Sequence, residues 1–394
     1  MTITDIDFNN KKVLVRVDFN VPLDKDFQVT DNTRIKSSMK TISQILKNGG
    51  TCILVSHLGR PKGFEEKLSL KNVVSEVEKV LGKKITFLND CVGEKVKKAC
   101  KKSQKGEVIL LENLRFHPEE ELGDIQFARS LSELGDIYVN DAFGTAHRNH
   151  ASTGVLPYFF KGKKAMGYLL SGEVAAIDKV LINGERPILA IIGGAKVSSK
   201  LEVLKNLINV VDDIIVGGGM AYTFIKSNGG EIGNSLCEED FLDEAQKILL
   251  SAERKSVRIH LPNDVVAAEE FSNNSLRGIT NIYSIPVSME GLDIGPSTIN
   301  KFSEIIKNSK TILWNGPMGV FEMSNFQNGT KQLAISITEA TACGAFSLVG
   351  GGDSISAIKI FGLEDQFSYI STGGGAMLES IEGKILPGVK AILN

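Results

Sequence analysis

Short apolar runs alternate along the whole chain with stretches whose apolar residues recur every three or four positions. Ile188–Ile192 is apolar at every position, as expected of a strand covered on both faces of its sheet. Thr33–Lys47 instead spaces its apolar side chains along one face of a helix. Such alternation is typical of parallel sheets joined by crossover helices, so the pattern predicts an α/β fold.

The same pattern locates the individual elements and the domains. A chain of 394 residues exceeds the size at which single cores stop growing, which predicts two domains. Helix 167–181 is the predicted connector, so 1–170 and 171–375 are each expected to form a doubly wound parallel sheet. The other helices are predicted over 33–47 and 72–81. Strands are predicted over 12–18, 51–56, 108–112, 136–140, 187–192, 213–216, 257–261, 311–314, 345–349 and 367–371.

The residues that follow each strand differ between the two halves. In open α/β sheets, ligands bind beyond the carboxyl ends of the strands. In the first half these positions are charged or polar: Asp18, Asn20, His57, Arg60, Arg115, Asp141, His147 and Arg148. In the second half they are glycines, at 193–194, 217–219, 316, 350–352 and 373–375. One ligand face is therefore predicted to present arginines and the other to present bare backbone.

Two of the glycine segments also carry side chains suited to phosphate. Backbone N–H groups at glycine turns and helix N-termini bind phosphate. Segment 193–200 adds Lys196 and Lys200, predicted on the first turns of a helix, and Asp353 could hold Mg²⁺ between phosphate oxygens. A single glycine turn more often serves strand–helix packing, but several in one domain favour nucleotide binding. Neither G-x-x-x-x-G-K-[ST] nor G-x-G-x-x-G occurs in the chain.

The arginines of the first half favour an anion site. Guanidinium groups bind phosphate and carboxylate bidentately. Any one arginine is more often a surface ion pair, but four near strand ends favour a shared ligand. Asp18 and Asn20 could bond a substrate hydroxyl or cap the turn that ends at Pro22. The four are Arg34, Arg60, Arg115 and Arg148.

Composition narrows the chemistry further. Residues 1–170 hold 27 Lys and Arg against 21 Asp and Glu, although the whole chain has a net charge of −2. A nucleic-acid binder would be more basic, with interleaved aromatics, and the histidines lack metal-ligand spacing.

The five cysteines form no C-x-x-C pair, and neither a signal pattern nor an apolar run of about 18 residues is present, so a cytoplasmic protein is expected. No Ser-His-Asp set is evident; phosphoryl transfer to an ionised carboxylate needs no general base.

The motifs themselves resemble a known family. Residues 16–22 (RVDFNVP) resemble the R-x-D-x-N-x-P signature of the phosphoglycerate kinases. Further blocks match that family in the same order over nearly the whole chain: 57–61 (HLGRP), 112–116 (ENLRF), 141–148 (DAFGTAHR), 193–200, 314–322 (WNGPMGVFE), 350–354 and 371–376. An ordered set of this kind is far more specific than any single glycine turn.

The resemblance implies a role for each site residue. Arg34 and Lys196 would stabilise the phosphoryl group in transfer, with helix N-termini at Gly351 and Gly373. Glu322 would bind the ribose and Asp353 the Mg²⁺. The substrate 3-phosphoglycerate would be held by Asp18, Phe19, Asn20, Arg34, His57, Leu58, Gly59, Arg60, Arg115 and Arg148. The nucleotide would be held by Lys196, Lys200, Gly291, Glu322, Gly350, Gly351, Gly352, Asp353 and Ser354.

The resemblance also implies a reaction and an architecture. A phosphoryl group would pass from 1,3-bisphosphoglycerate to ADP, a step of glycolysis and gluconeogenesis, across a cleft that closes by hinge bending. Residues from about 376 onwards would return to the first domain, and the protein would be a monomer without nucleic-acid or membrane partners.

Two other classes of protein fit the sequence less well. A catalytically silent nucleotide-binding regulator on the same scaffold would normally show damage at Arg34, Lys196 or Asp353, and all three are present. A dehydrogenase would need a dinucleotide fingerprint after the first strand, where residues 18–22 (DFNVP) stand instead.

Overall fold

The computed structural model describes residues 2–394. The chain divides into two compact units. One unit runs to Ala175 and includes Ile385–Asn394, and the other comprises Ala176–Lys384. The sequence placed these divisions near residue 170 and near residue 376.

The first unit is built on one six-stranded sheet. Its strands are β1 (Lys12–Arg16), β2 (Thr51–Val55), β3 (Thr86–Leu88), β4 (Val108–Leu111), β5 (Ile137–Asn140) and β6 (Lys164–Met166). They all run parallel, in the order β3-β4-β2-β1-β5-β6. Because β1 lies between β2 and β5, the chain that leaves β1 starts at the centre of the sheet edge.

Helices cover this sheet on both faces. They are α1 (Thr33–Lys47), α2 (Val74–Leu81), α3 (Glu94–Lys102), α4 (Pro118–Leu122), α5 (Ile125–Ser132), the first part of α6 (Tyr168–Leu181) and the C-terminal helix Pro387–Leu393. From Ala176 onwards α6 belongs to the second unit. Shorter 3₁₀ turns occupy Ile3–Asp5, Glu66–Leu68, Leu70–Val73, Leu114–Phe116, Phe143–Thr145 and Leu156–Phe159, and a π turn occupies Ala151–Val155.

The alternation of side chains along β1 explains the two layers. Val13 and Val15 belong to the core that Ile42 of α1 completes. Leu14 points to the opposite core, where it packs with Leu131 of α5. Since successive side chains of a strand face opposite ways, an apolar run buried on both faces needs a helix layer on each.

The C-terminal helix belongs to the first unit. Ile392 is part of the core that contains Leu14. The Lys164 Nζ donates to the backbone oxygen of Ala391 at 2.7 Å, and the Gly388 N–H donates to that of Ala146 at 2.8 Å. The chain therefore returns to the unit in which it began.

The second unit contains a second six-stranded parallel sheet and two smaller sheets. Its strands are β7 (Ile188–Ile192), β8 (Asp213–Val216), β9 (Glu231–Ile232), β10 (Arg258–His260), β11 (Asp264–Ala268), β12 (Arg277–Asn281), β13 (Ser284–Ile285), β14 (Glu290–Ile294), β15 (Thr311–Asn315), β16 (Phe346–Gly350) and β17 (Tyr369–Ile370). The large sheet has the order β10-β8-β7-β15-β16-β17. Strands β12-β11-β14 form an antiparallel sheet, and β13 pairs with β9.

The helices of the second unit follow the strands in the expected rhythm. They are α7 (Leu201–Leu207), α8 (Met220–Ser227), α9 (Leu242–Arg254), α10 (Pro296–Lys307), α11 (Asn328–Ala342), α12 (Gly352–Phe361) and α13 (Gly375–Ile381). Short 3₁₀ turns occupy Glu239–Phe241 and Glu364–Gln366.

The predicted fold class of two parallel-sheet α/β units is confirmed. Several strands that the sequence did not predict are short or exposed, as in β3, β6 and β12. The sequence also did not predict β11 and β14, which are five residues long and have three buried residues each. Among the described residues, none of the helices is both long and apolar enough to cross a membrane.

Candidate active site

Asp18 and Arg34 form an ion pair just beyond the first strand. Asp18 follows β1 and is almost fully buried, while Arg34 lies in the first turn of α1 with its side chain 38% exposed. The Arg34 Nη1 lies 3.1 Å from both the Asp18 Oδ2 and the backbone oxygen of Asn20. A cation at this end of a helix opposes the helix dipole. These two acceptors therefore hold Arg34 where helix formation alone would not favour it.

His57 follows β2 and lies buried against a guanidinium group. The Arg16 Nη2 is 3.3 Å from the His57 Nδ1. Because a guanidinium only donates, Nδ1 accepts, and the ring hydrogen of the neutral imidazole is on Nε2. Burial lowers the pKa of His57 well below its usual range, and Arg16 and Arg115 lower it further. Although Asp18 lies 3.9 Å away, its carboxylate does not offset burial and three arginines, so His57 is neutral at physiological pH.

Backbone groups after His57 are tied to the ends of two other strands. The Asn20 Oδ1 accepts from the Gly59 N–H at 2.9 Å, and Arg115 donates to the Gly59 oxygen at 2.7 Å. Gly59 has a φ of +65°, a conformation that favours glycine. The structure thus brings together residues that follow β1, β2 and β4, as the strand-end argument predicted.

Two predicted substrate residues contribute backbone only. The side chains of Phe19 and Leu58 are buried in the core with Val17. The Phe19 N–H donates to the Ser56 Oγ at 2.9 Å, and the Leu58 oxygen accepts from the Asn113 amide at 2.7 Å. Both residues therefore shape the turns that carry their neighbours.

A buried network behind His57 was not predicted from the sequence. Arg16 is 1% exposed, and its Nε donates to the Ser152 Oγ at 3.0 Å. The Ser152 hydroxyl and N–H in turn donate to the Glu120 carboxylate at 2.6 and 2.9 Å. Burial raises the pKa of Glu120, while Arg16 and Ser152 act in the opposite direction. The one signal in the sequence was an arginine inside the apolar run that forms β1.

Arg60 and Arg148 are exposed, and each acts on a different partly buried group of this site. Burial lowers the pKa of Arg115, and the nearby charge of Arg60 lowers it further. Burial lowers the pKa of His150 to about 4, and Arg148 is among the nearby charges that add to this effect. The arginines therefore share one electrostatic environment. In it Arg34, Arg115 and Arg16 interact with the carboxylates of Asp18, Glu121 and Glu120. Arg60 and Arg148 add two further positive charges, which leaves the five arginines with two charges in excess of the three carboxylates.

In the second unit, one group of glycines permits close packing of strand ends. A Cβ placed on Gly193 would overlap the backbone oxygens of Pro317 and Gly316. One placed on Gly218 would meet the backbone of Gly194 at 2.7 Å. At these positions the packing explanation for a glycine turn holds.

Another group of glycines faces open space. A Cβ on Gly194, Gly352 or Gly374 would meet no atom within 4 Å. Gly194 has a φ of +108° and Gly374 a φ of +51°, so backbone conformation also favours glycine there. Gly351 has a φ of +92° and precedes α12, whose N-terminal N–H groups are thus accessible to an anion. Gly373 lies two residues ahead of α13, which begins at Gly375.

The predicted helical placement of Lys196 and Lys200 is wrong. Helix α7 begins at Leu201, so both lysines lie in the preceding turn. The Glu238 carboxylate accepts from the Ser198 N–H and hydroxyl at 2.9 and 2.6 Å, and these bonds hold the segment in a non-helical conformation. Lys196 is exposed, whereas Lys200 donates to the Asn315 side chain, and burial lowers the pKa of Lys200.

A cavity of about 360 Å³ opens beside these glycines. Its lining includes Gly194, Gly291, Glu322 and Asp353, all singled out from the sequence. Its walls are mainly apolar, from Leu236, Phe271, Leu292, Pro317, Met318, Val320 and Phe321. Two polar lining residues, Tyr222 and Glu290, were missed, because neither follows a strand end.

Asp353 fits a magnesium ion held mainly by phosphate. It is exposed in the first turn of α12 and interacts with the charge of Lys200. Mg²⁺ commonly uses one or two carboxylates with substrate phosphates and water. Ser354 is buried and accepts from the Gly316 N–H at 2.7 Å, so its hydroxyl supports the turn. Among the described residues, one cluster of potential metal ligands is found in the first unit, formed by Asp90, Cys91 and His117. Asp353 is not part of that cluster.

Comparison with known proteins decides the family. A sequence profile described as "Phosphoglycerate kinase" matches residues 3–384. The chain belongs to the phosphoglycerate kinase family. The phosphoglycerate kinase of Porphyromonas gingivalis is 48% identical, with 100% of both chains covered. That of Chloroherpeton thalassium is 49% identical over 100% of this chain and 99% of its own.

A solved structure supports the same conclusion. The phosphoglycerate kinase of Coxiella burnetii matches with a TM-score of 0.93 and 39% identity, covering 100% of this chain and 98% of that one. The matched span 3–384 contains every site residue that the sequence predicted, from Asp18 to Gly373.

Proposed function

We propose that the chain catalyses reversible phosphoryl transfer from 1,3-bisphosphoglycerate to ADP, giving 3-phosphoglycerate and ATP in glycolysis and gluconeogenesis. The observation that carries this proposal is the group of five arginines around neutral His57 and His150. Its excess of two positive charges complements a phosphate dianion. The named relatives, alike over their full length, support it.

In the proposed mechanism the first unit holds 3-phosphoglycerate. Arg60, Arg115 and Arg148 bind the distal phosphate, and neutral His57 donates from Nε2. Asp18 and Asn20 bond the substrate hydroxyl. Arg34, anchored through one nitrogen, keeps other donors for the oxygens of the transferring group.

The second unit holds the nucleotide in this proposal. The base enters the apolar cavity and Glu322 binds the ribose. The N–H groups of Gly351 and Gly352, at the start of α12, receive phosphate oxygens. Lys196 neutralises the transferring group, while Lys200 binds the nucleotide phosphates. Mg²⁺ held by Asp353 would supply further neutralisation of phosphate charge.

Transfer in this mechanism requires positioning and charge, without a general base. The acceptor carboxylate of 3-phosphoglycerate is ionised at neutral pH, since carboxyl pKa values lie near 4. In-line attack needs reacting atoms within about 3 to 3.5 Å. We therefore propose that the protein closes on its substrates by hinge bending, with α6 and the segment after Gly373 as hinges.

We further propose a monomer in the cytoplasm. The support for the compartment is chemical: Cys52, Cys91, Cys100, Cys237 and Cys343 are all free thiols. Three of these are buried, so they act as small apolar core residues that need no oxidising compartment. Analytical ultracentrifugation at micromolar concentration should give the mass of one 42.7 kDa chain, and a dimer would contradict this part of the proposal.

A coupled assay tests the reaction directly. Purified protein with 3-phosphoglycerate and MgATP should form ADP at a rate that depends on both substrates. The same preparation should bind ADP by calorimetry. Nucleotide binding without any turnover would contradict the proposal and favour a silent regulator.

A further inference from the structure

Three side chains of different ligand types meet at one corner of the first unit. Asp90 and Cys91 follow β3, and His117 follows β4, its parallel neighbour in the sheet. Parallel strands bring their carboxyl ends to one edge, so Asp90 and His117 meet although they are 27 positions apart in the chain. The Cys91 sulfur, an Asp90 oxygen and a His117 ring nitrogen all lie within 4.8 Å of one another.

Contacts within the fold hold these three side chains in place. The Asp90 Oδ1 accepts from the Cys91 N–H at 2.7 Å and lies 2.9 Å from the His117 Nε2. The His117 ring packs on Phe127 with 5.3 Å between centroids, and Phe127 lies in the same core as Cys91. Cys91 is fully buried and Asp90 is exposed, so an ion from solvent enters beside Asp90.

The geometry fits a tetrahedral metal ion. Zn²⁺ binds thiolate sulfur at about 2.3 Å and imidazole nitrogen or carboxylate oxygen at about 2.0–2.2 Å, which places ligand atoms about 3.3–3.6 Å apart. From a cluster within 4.8 Å, this arrangement needs side-chain movements of about 1 Å. Three protein ligands leave the fourth position to water, as in open zinc sites.

The ligand types and the local charge favour zinc over magnesium. Mg²⁺ prefers oxygen ligands, whereas thiolate and imidazole suit Zn²⁺. Burial raises the pKa of the Cys91 thiol well above its usual range, and the negative charges of Asp90 and Glu120 raise it further. In the free protein this thiol therefore keeps its proton and packs as a small apolar group. A cation relieves the negative field and replaces that proton, because a coordinating thiol is deprotonated.

We propose that Asp90, Cys91 and His117 form a zinc site with one open coordination position. The site lies apart from Asp353 and goes beyond the proposed reaction, which does not depend on it. A bound ion ties the turn after β3 to the turn that carries Arg115, two residues before His117.

Titration of metal-free protein with Zn²⁺, in excess Mg²⁺ and without nucleotide, tests the site by calorimetry. The wild type should bind one equivalent. Co²⁺ in place of Zn²⁺ should give a thiolate-to-cobalt charge-transfer band in the near ultraviolet, which Cys91→Ala should abolish. His117→Gln keeps an N–H donor for Asp90. It should still weaken Zn²⁺ binding by at least about tenfold, since loss of an outer-shell partner alone costs that much.

Three matched variants should bind Zn²⁺ as the wild type does. Cys100→Ala removes another buried thiol of the same core, and Cys343→Ser removes an exposed one. His260→Gln alters a second His–Asp pair, in which the His260 Nε2 lies 2.7 Å from Asp213. Among the described residues, no cysteine joins that pair in a metal-ligand cluster.

Amide exchange locates the ion within the chain. Zn²⁺ should slow exchange over residues 89–92 and 114–120 of the wild type, and should not do so in His117→Gln. His117 is partly exposed, so this variant carries the test even if Cys91→Ala is destabilised. No stoichiometric binding, a charge-transfer band that persists in folded Cys91→Ala, or equal Zn²⁺ affinity of His117→Gln and the wild type would overturn the proposal.

Discussion

Glu120 and Glu121 are neighbours that pair with different arginines at very different depths. The Glu120 side chain is fully buried and is linked to buried Arg16 through Ser152. The Glu121 side chain is 53% exposed, and its carboxylate lies 3.0 Å from the Arg115 Nε. Replacing each by alanine removes one carboxylate from the same short helix, so the pair isolates the effect of burial.

The two alanine variants are expected to lose very different amounts of unfolding free energy. Without Glu120, the charge of Arg16 is buried without compensation and the Ser152 N–H loses its acceptor. Removing one partner of a buried charge pair typically costs about 3–5 kcal/mol. Exposed ion pairs contribute about 0–1 kcal/mol, which is the expectation for Glu121→Ala. Glu120→Gln should be milder than Glu120→Ala, since burial already raises the pKa of Glu120 and an amide oxygen still accepts.

Hydrogen exchange is the suitable assay, because the only tryptophan, Trp314, lies in the second unit. Amide exchange in β1, followed by mass spectrometry, reports the free energy of opening the first unit. Glu120→Ala should lower that free energy by about 3–5 kcal/mol and Glu121→Ala by less than about 1 kcal/mol. Equal effects of the two alanine variants would refute the argument that this network is a buried charge pair.

Three further outcomes follow from particular contacts. Gly193→Ala should lower the melting temperature, because its Cβ would overlap Pro317, whereas Gly352→Ala should leave stability intact and weaken ADP binding severalfold. Burial raises the pKa of Asp293 to about 7, so stability should fall as pH rises from about 4 to 7, and Asp293→Asn should flatten that profile in urea titrations. Burial lowers the pKa of His150 to about 4, so stability should fall as pH drops from about 6.5 to 4, and His150→Gln should remove that slope.

The sequence predicted most strands of the two parallel sheets, and the strand-end positions, because both depend on local pattern. It did not predict the β12-β11-β14 sheet or the β13-β9 pair. Each apolar run supplies a strand, and parallel strands bring their carboxyl ends to one edge. This is why Asn20, Gly59 and Arg115 meet as expected. The observed start of α1 at Thr33 also agrees with the predicted start, since the helical spacing of apolar residues begins there.

What could not be predicted depends on partners distant in the chain. Ser198 bonds Glu238, forty residues later, and this contact replaces the helical turn expected for Lys196 and Lys200. Arg16 reaches Glu120 through Ser152, which lies in an irregular π turn without a periodic signal. No spacing rule joins residues so far apart.

Transfer of labelled phosphate is the most direct measurement of the central claim. With [γ-³²P]ATP and 3-phosphoglycerate, the wild type should place the label on the acceptor carboxylate. Arg34→Ala should reduce this transfer by about 10²-fold or more, because it removes a donor to the transferring group. Arg129→Ala, an exposed arginine over the Phe159 ring, should match the wild type. Equal transfer by Arg34→Ala and the wild type, or release of label only as free phosphate, would contradict the account.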